Sequence, residues 1–174
     1  MTANRTGTNG QRRISTHAWD RLRLYNEGLW WAIALGFIIG VSQLAVAGND
    51  WKSFYRPAAL SGDYLSFPGV ANPPYVLFLF KPLALLPVEA GNLILLVIVV
   101  ICLRVVPWLT GANKWLILIS FPVWWQLWLT QIDALVMLGV AIGYYAIKKD
   151  KPILQGVATL LLCLKPQVGG VLAV

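Results

Sequence analysis

Residues 29–47 carry no charged side chain over 19 positions. Wound as a helix, this stretch measures about 28 Å, close to the roughly 30 Å of a bilayer's hydrocarbon core. Further apolar runs follow at 91–109, 114–129 and 131–147, and another starts at Pro152, a favoured first helical residue, and continues to Val174. Such a chain hides its apolar surface in lipid and against its own helices. Only 12% of its residues are charged, against roughly 25% in soluble domains, which excludes an ordinary soluble enzyme. The expected fold is all-α, a polytopic transmembrane helical bundle of about five spans with juxtamembrane helices in the first outer loop. The last run is still apolar at Val174, so the chain is expected to be the N-terminal part of a longer protein.

A formal charge of +7 would fit a nucleic-acid ligand if the basic residues formed a surface cluster, but they lie at the edges of the apolar runs. No nucleic-acid partner is expected; the partner is membrane lipid. With the N-terminus cytoplasmic, ten basic residues lie inside: Arg5, Arg12, Arg13, Arg21, Arg23, Arg104, Lys114, Lys148, Lys149 and Lys151. Four lie outside, Lys52, Arg56, Lys81 and Lys165, as the positive-inside rule requires. The same rule decides segment 75–87, about 20 Å long and interrupted by Lys81 and Pro82. Were it to cross, Lys148, Lys149 and Lys151 would be forced outside, so it is read as a surface or re-entrant helix.

The domain reading is therefore a cytoplasmic basic tail at 1–28, with too few apolar residues to fold alone, and a transmembrane domain at 29–174 with its outer loop at 48–90. Ala45-Val46-Ala47 imitates a signal-peptidase site, but the polar region before the first run and the run itself are both longer than a signal peptide needs, so an uncleaved anchor is expected. Trp30, Trp31, Trp108 and Trp115 fall at inner ends and Trp124, Trp125 and Trp128 at an outer end, as two aromatic belts. Cys102 and Cys163 sit in apolar runs and read as core residues. His17 has no partner at ligand spacing, so no metal and no cofactor is expected.

Topology gathers polar groups on the outer side. Asp50 follows the first span, Gln131 and Asp133 open an out-to-in span, and Lys165 lies 13 residues past Pro152 on an in-to-out span. As a continuous helix those residues rise about 20 Å, which puts the ammonium in the outer half of the bilayer, where an ionisable group is functional by default. A snorkelling lysine, or one paired structurally with Asp133, is the plainer alternative. The chemistry that suits the set is displacement of a phosphate from an activated, lipid-carried substrate. Asp50 would take the proton of the attacking hydroxyl, and Lys165 or Arg56 would steady the departing phosphate. Asp63 is a second loop carboxylate without a fixed spacing to Asp50.

The run from Asp50 through Tyr55 and Arg56 to Ala59, then Gly62-Asp63-Tyr64, then Pro73-Pro74 leading to Phe80-Lys81-Pro82 and Pro87, resembles the first outer loop of the family-87 glycosyltransferases. Gln131-x-Asp133 stands where that family tends to have Gly-Gln-x-Asn, with Thr130 in place of the Gly and Asp133 in place of the Asn, and Lys165-Pro166-Gln167 is similar to its later Lys-Pro motif. The resemblance covers about residues 29–170. It implies a multispanning GT-C enzyme of a bacterial plasma membrane. Such an enzyme moves a sugar, mannose in the mycobacterial members, from a polyprenyl-phosphate donor to a lipid or glycan acceptor on the outer face, with inversion. By the same resemblance Asp50 is the base, and Lys165, Gln131 and Arg56 lie around the donor, with Tyr55, Asp63, Tyr64, Asp133 and Gln167 completing the substrate site. The competing classes are a transporter or flippase-like membrane protein, in which Lys165 and Asp133 line a path and Asp50 is dispensable, and an inactive fragment.

Overall fold

The computed structural model describes residues 9–43, 48–63 and 72–167, with side chains from Ala18 onward. Every regular element among them is helical, and the chain divides into two compact units, Met1–Phe37 and Ile38–Val174. The expected all-α class is what is observed.

Helix α1, Asn9–Ser42, begins in the first unit. The basic arm, expected to have no fold of its own, is thus helical from Asn9. No proline interrupts it, and a helix nucleated by the apolar run extends into the arm at small cost per residue. Its part Ala18–Ser42 is 25 residues long and apolar enough to cross a bilayer. Trp30, expected in an interfacial belt, is instead fully buried and meets Trp31 edge-on, with 5.1 Å between ring centroids. The Ala45-Val46-Ala47 triplet lies outside the described residues.

In the second unit a π-helical turn, Trp51–Tyr55, runs straight into α2, Arg56–Ser61, which ends at Gly62 with φ +68°. Then come α3, Pro74–Ala84, and α4, Val88–Thr110. At 23 residues, with a mean hydropathy of 2.7 over its most apolar 18, α4 is the second described helix able to cross a bilayer. Its Leu93, Ile94, Val97 and Ile101 are exposed while Leu95, Leu96, Val99 and Leu103 are buried, as for a helix with one face to lipid and one to protein. Gly111, at φ +76°, closes it by donating its N–H to the Pro107 carbonyl at 2.9 Å.

Among the described residues, the other expected spans hold only helices shorter than a bilayer is thick. Run 114–129 is broken into α5, Lys114–Ile119, and α6, Phe121–Leu129, because Pro122 has no N–H for the Leu118 carbonyl and Ser120 turns extended. Helix α7, Asp133–Lys148, has 16 residues, and α8, Pro152–Leu162, has 11. Segment 75–87, read as a surface or re-entrant element, is the 11-residue α3, about 17 Å long and too short to cross.

One core cluster of this unit is built mainly by the segment 48–90. Trp51, Tyr55, Ala58 and Ala59 pack with Val76, Leu77, Phe80 and Ala84 of α3, and against Leu95 of α4, Ile132 and Val136 around the start of α7, and Leu164 past α8. Helices α7 and α8 meet along small residues. A Cβ on Gly139 would stand 2.9 Å from the Leu161 Cβ and 3.1 Å from the Ala158 carbonyl oxygen, and one on Gly143 3.5 Å from the Ala158 Cβ.

Candidate active site

Asp50 is held from both sides. Before it, Gly48 adopts φ +71° and donates its N–H to the Trp128 carbonyl at 3.0 Å; a Cβ there would fall 2.5 Å from the Asn92 Oδ1, so the turn admits only glycine. After it, Trp51 is fully buried, its indole N–H donates to the Val88 carbonyl at 3.0 Å, and its ring fills the space a Gly91 side chain would need. The π turn that begins at Trp51 is a geometry found frequently at functional sites.

The residues facing Asp50 come from two other segments. The Gln131 side chain hydrogen-bonds the Asp50 carboxyl. Gln131 is aimed by Thr130, whose φ of +56° ends α6 in a left-handed turn, and by its own N–H, which donates to the Gln126 carbonyl at 2.8 Å. Asp133 opens α7, and the Lys165 Nζ stands 2.6 Å from its Oδ1. Lys165 is not within a continuous span. Helix α8 stops at Leu162, because Pro166 disfavours helical backbone at the residue before it. The depth expected for an unbroken helix therefore does not apply. The ammonium sits just past a helix end, 13% exposed, against 34% for Asp133.

The charges act on Asp50 in opposite directions. Burial pushes its pKa up from the ordinary 3.8, the Gln131 hydrogen bond and Lys165 pull it down, and Asp133 pushes it up again; the net direction is upward. Tyr55 is 4% exposed and packs on Phe80 with 5.4 Å between ring centroids. Burial, with the charges of Asp50 and Asp133, keeps its hydroxyl protonated as a donor. One basic carboxylate, an amide, a phenol and a carboxylate-paired ammonium can together receive a proton from an alcohol and hold an anion.

The model of glycosyltransferase family 87 matches residues 71–174. The chain belongs to glycosyltransferase family 87. No curated protein and no solved structure matches it. Membership of family 87, with two apolar helices of spanning length, makes this a membrane protein of a glycosyl-transferring family. The family-87 match includes Gln131, Asp133, Lys165 and Gln167, while Asp50, Tyr55, Arg56, Asp63 and Tyr64 precede it.

Of the residues expected to bind substrate, the fold brings Tyr55, Gln131, Asp133 and Lys165 into reach of Asp50 or of its neighbours. Arg56 turns toward the connector before α4, where its guanidinium donates to the Leu86 carbonyl at 3.4 Å. Asp63 is exposed past the end of α2, its N–H on the Ser61 hydroxyl at 3.1 Å. Gln167 is exposed, helical together with Pro166, and Tyr64 lies outside the described residues.

The sequence reading passed over two buried amides. Asn92, 6% exposed, backs the Gly48 turn. Asn72, 3% exposed, donates to the Leu164 carbonyl at 2.7 Å. The only signal for Asn72 was its place before Pro73-Pro74.

Proposed function

We propose that this chain transfers a sugar from a polyprenyl-phosphate donor to a lipid or glycan hydroxyl on the outer face of a bacterial plasma membrane, as a multispanning GT-C enzyme with its N-terminus cytoplasmic. The observation that carries the reading is the meeting of Asp50, Gln131 and the Asp133–Lys165 pair from three separate stretches of chain. In the reaction the Asp50 carboxylate takes the acceptor's hydroxyl proton. The acceptor oxygen forms a bond to the anomeric carbon on the side opposite the phosphate, the carbon–oxygen bond to phosphate breaks, and its electron pair leaves with the phosphate, inverting the centre. Lys165 meets the phosphate as a point charge, and Asp133 keeps that ammonium in place before the donor arrives. Gln131 orients Asp50. Tyr55 supplies a donor to the sugar or phosphate.

Burial supports the assignment of the base, since a carboxylate with a raised pKa is the better proton acceptor. In membranes supplied with a labelled polyprenyl-phosphate mannose, Asp50→Asn is expected to lower transfer by at least about 10²-fold at unchanged expression. Transfer at the wild-type rate would remove Asp50 as the base and favour a transport role for Lys165 and Asp133.

A further inference from the structure

A helix that ends leaves its last carbonyls without helical partners. Just past α8, the next two carbonyls, of Cys163 and Leu164, are taken by side chains from far away in the chain. The Asn72 side-chain amide donates to the Leu164 carbonyl at 2.7 Å across 92 residues, and the Tyr75 hydroxyl donates to the Cys163 carbonyl at 2.6 Å across 88. Both donors are held firmly. Pro73 is extended at φ −60° and ψ 150°, Pro74 starts α3, and proline allows neither much freedom in φ. The accepting stretch is fixed as well, since Leu164 is 4% exposed within the core.

The Leu164 carbonyl shares a planar peptide unit with the Lys165 nitrogen. A hydrogen bond that fixes this plane also fixes the Lys165 Cα from which the side chain leaves, and that side chain ends on Asp133 at 2.6 Å. We infer that Asn72 and Tyr75 are positioning residues that set where the Lys165 ammonium stands, a role that rests on reading Lys165 as the cation that meets the donor phosphate. The Asn-Pro-Pro-Tyr run is then a clamp: its prolines hold two donors at the distance of two successive carbonyls, and the ammonium they aim lies one residue further on. A merely structural tie would stabilise α3 against the end of α8 without changing how Lys165 is presented.

The test uses the full chain in detergent and the acylation rate of each lysine by a water-soluble acetyl ester, read by mass spectrometry. Lys149, exposed beyond α7, is the internal reference. Tyr75→Phe keeps the ring and removes one hydroxyl. It is expected to raise acylation of Lys165 relative to Lys149 by roughly fivefold, the weight of one hydrogen bond, and Asn72→Asp, which sets an acceptor against the Leu164 carbonyl, by more. Farnesyl phosphate, as a soluble probe, is expected to protect Lys165 in the wild type at severalfold lower concentration than in Tyr75→Phe. An unchanged Lys165 rate in Tyr75→Phe, or equal acceleration of Lys165 and Lys149, overturns the positioning role, whether or not Asn72→Asp folds. A selective rise at Lys165 with no protection by farnesyl phosphate even in the wild type upholds the clamp and refutes the phosphate-binding reading instead.

Discussion

Asp50 combines two demands that usually conflict. A general base works best when its pKa is lifted toward the working pH, yet a lifted pKa in a carboxylate means that burial disfavours the charged form. Here burial raises it, and Gln131 and Lys165 limit the rise. The sign follows for activity. With Asp50 as the proposed base, transfer needs its ionised form, so kcat/KM should fall on the acid side at a pH above the ordinary aspartate range. Because Asp133 pushes the Asp50 pKa up and occupies Lys165, Asp133→Asn should move that acid limb to lower pH; a limb that stays or moves upward contradicts this electrostatic account. Thr130 shows a substitution the sequence displayed but could not explain. It stands where the resemblance leads one to expect Gly, and at φ +56° a side chain costs roughly 1–2 kcal/mol, so glycine would suit the place. Arg56 was read as a phosphate ligand from its type and its place near Asp50. Its guanidinium donates to the Leu86 carbonyl, a direction that sequence spacing does not carry.

Among the elements, run length was a good guide to α1 and α4 and a poor one elsewhere. The breaks at Ser120 and after Leu162 come from Pro122 and Pro166, which the apolar count treated as neutral members of a span. The extension of α1 into the basic arm was not legible because charge and polarity do not prevent a helix that is already nucleated. The pairing of α7 with α8 depends on Gly139, whose missing side chain lets the Ala158 carbonyl and Leu161 approach. Gly139→Val should overpack this seam, cost about 1–3 kcal/mol and lower the thermal midpoint in detergent, whereas Gly143→Ala, with 3.5 Å available, should be close to neutral. Equal midpoints for the two variants would mean that the seam is not tightly packed.

At the scale of the whole chain, the candidate site is held together by the segment that precedes α4. The π turn and α2 pack on α3, their shared core reaches Ile132 beside Asp133 and Leu164 beside Lys165, and Asp50, Asp133 and Lys165 follow from that packing. The order of charges along the chain was enough to expect these three groups on one side. The hydrogen bonds that hold them are hidden in the sequence, because an asparagine before two prolines reads only as extended chain until its partner 92 residues away is seen. The most direct measurement of the central claim needs no substrate. In a chain carrying Cys102→Ala and Cys163→Ser, Asp50→Cys and Lys165→Cys are introduced together and treated in native membranes with a short-armed bis-thiol reagent. The account predicts rapid cross-linking of the two positions. Failure to cross-link, while each single cysteine still reacts with a one-armed reagent of the same kind, would show that base and cation do not share a pocket.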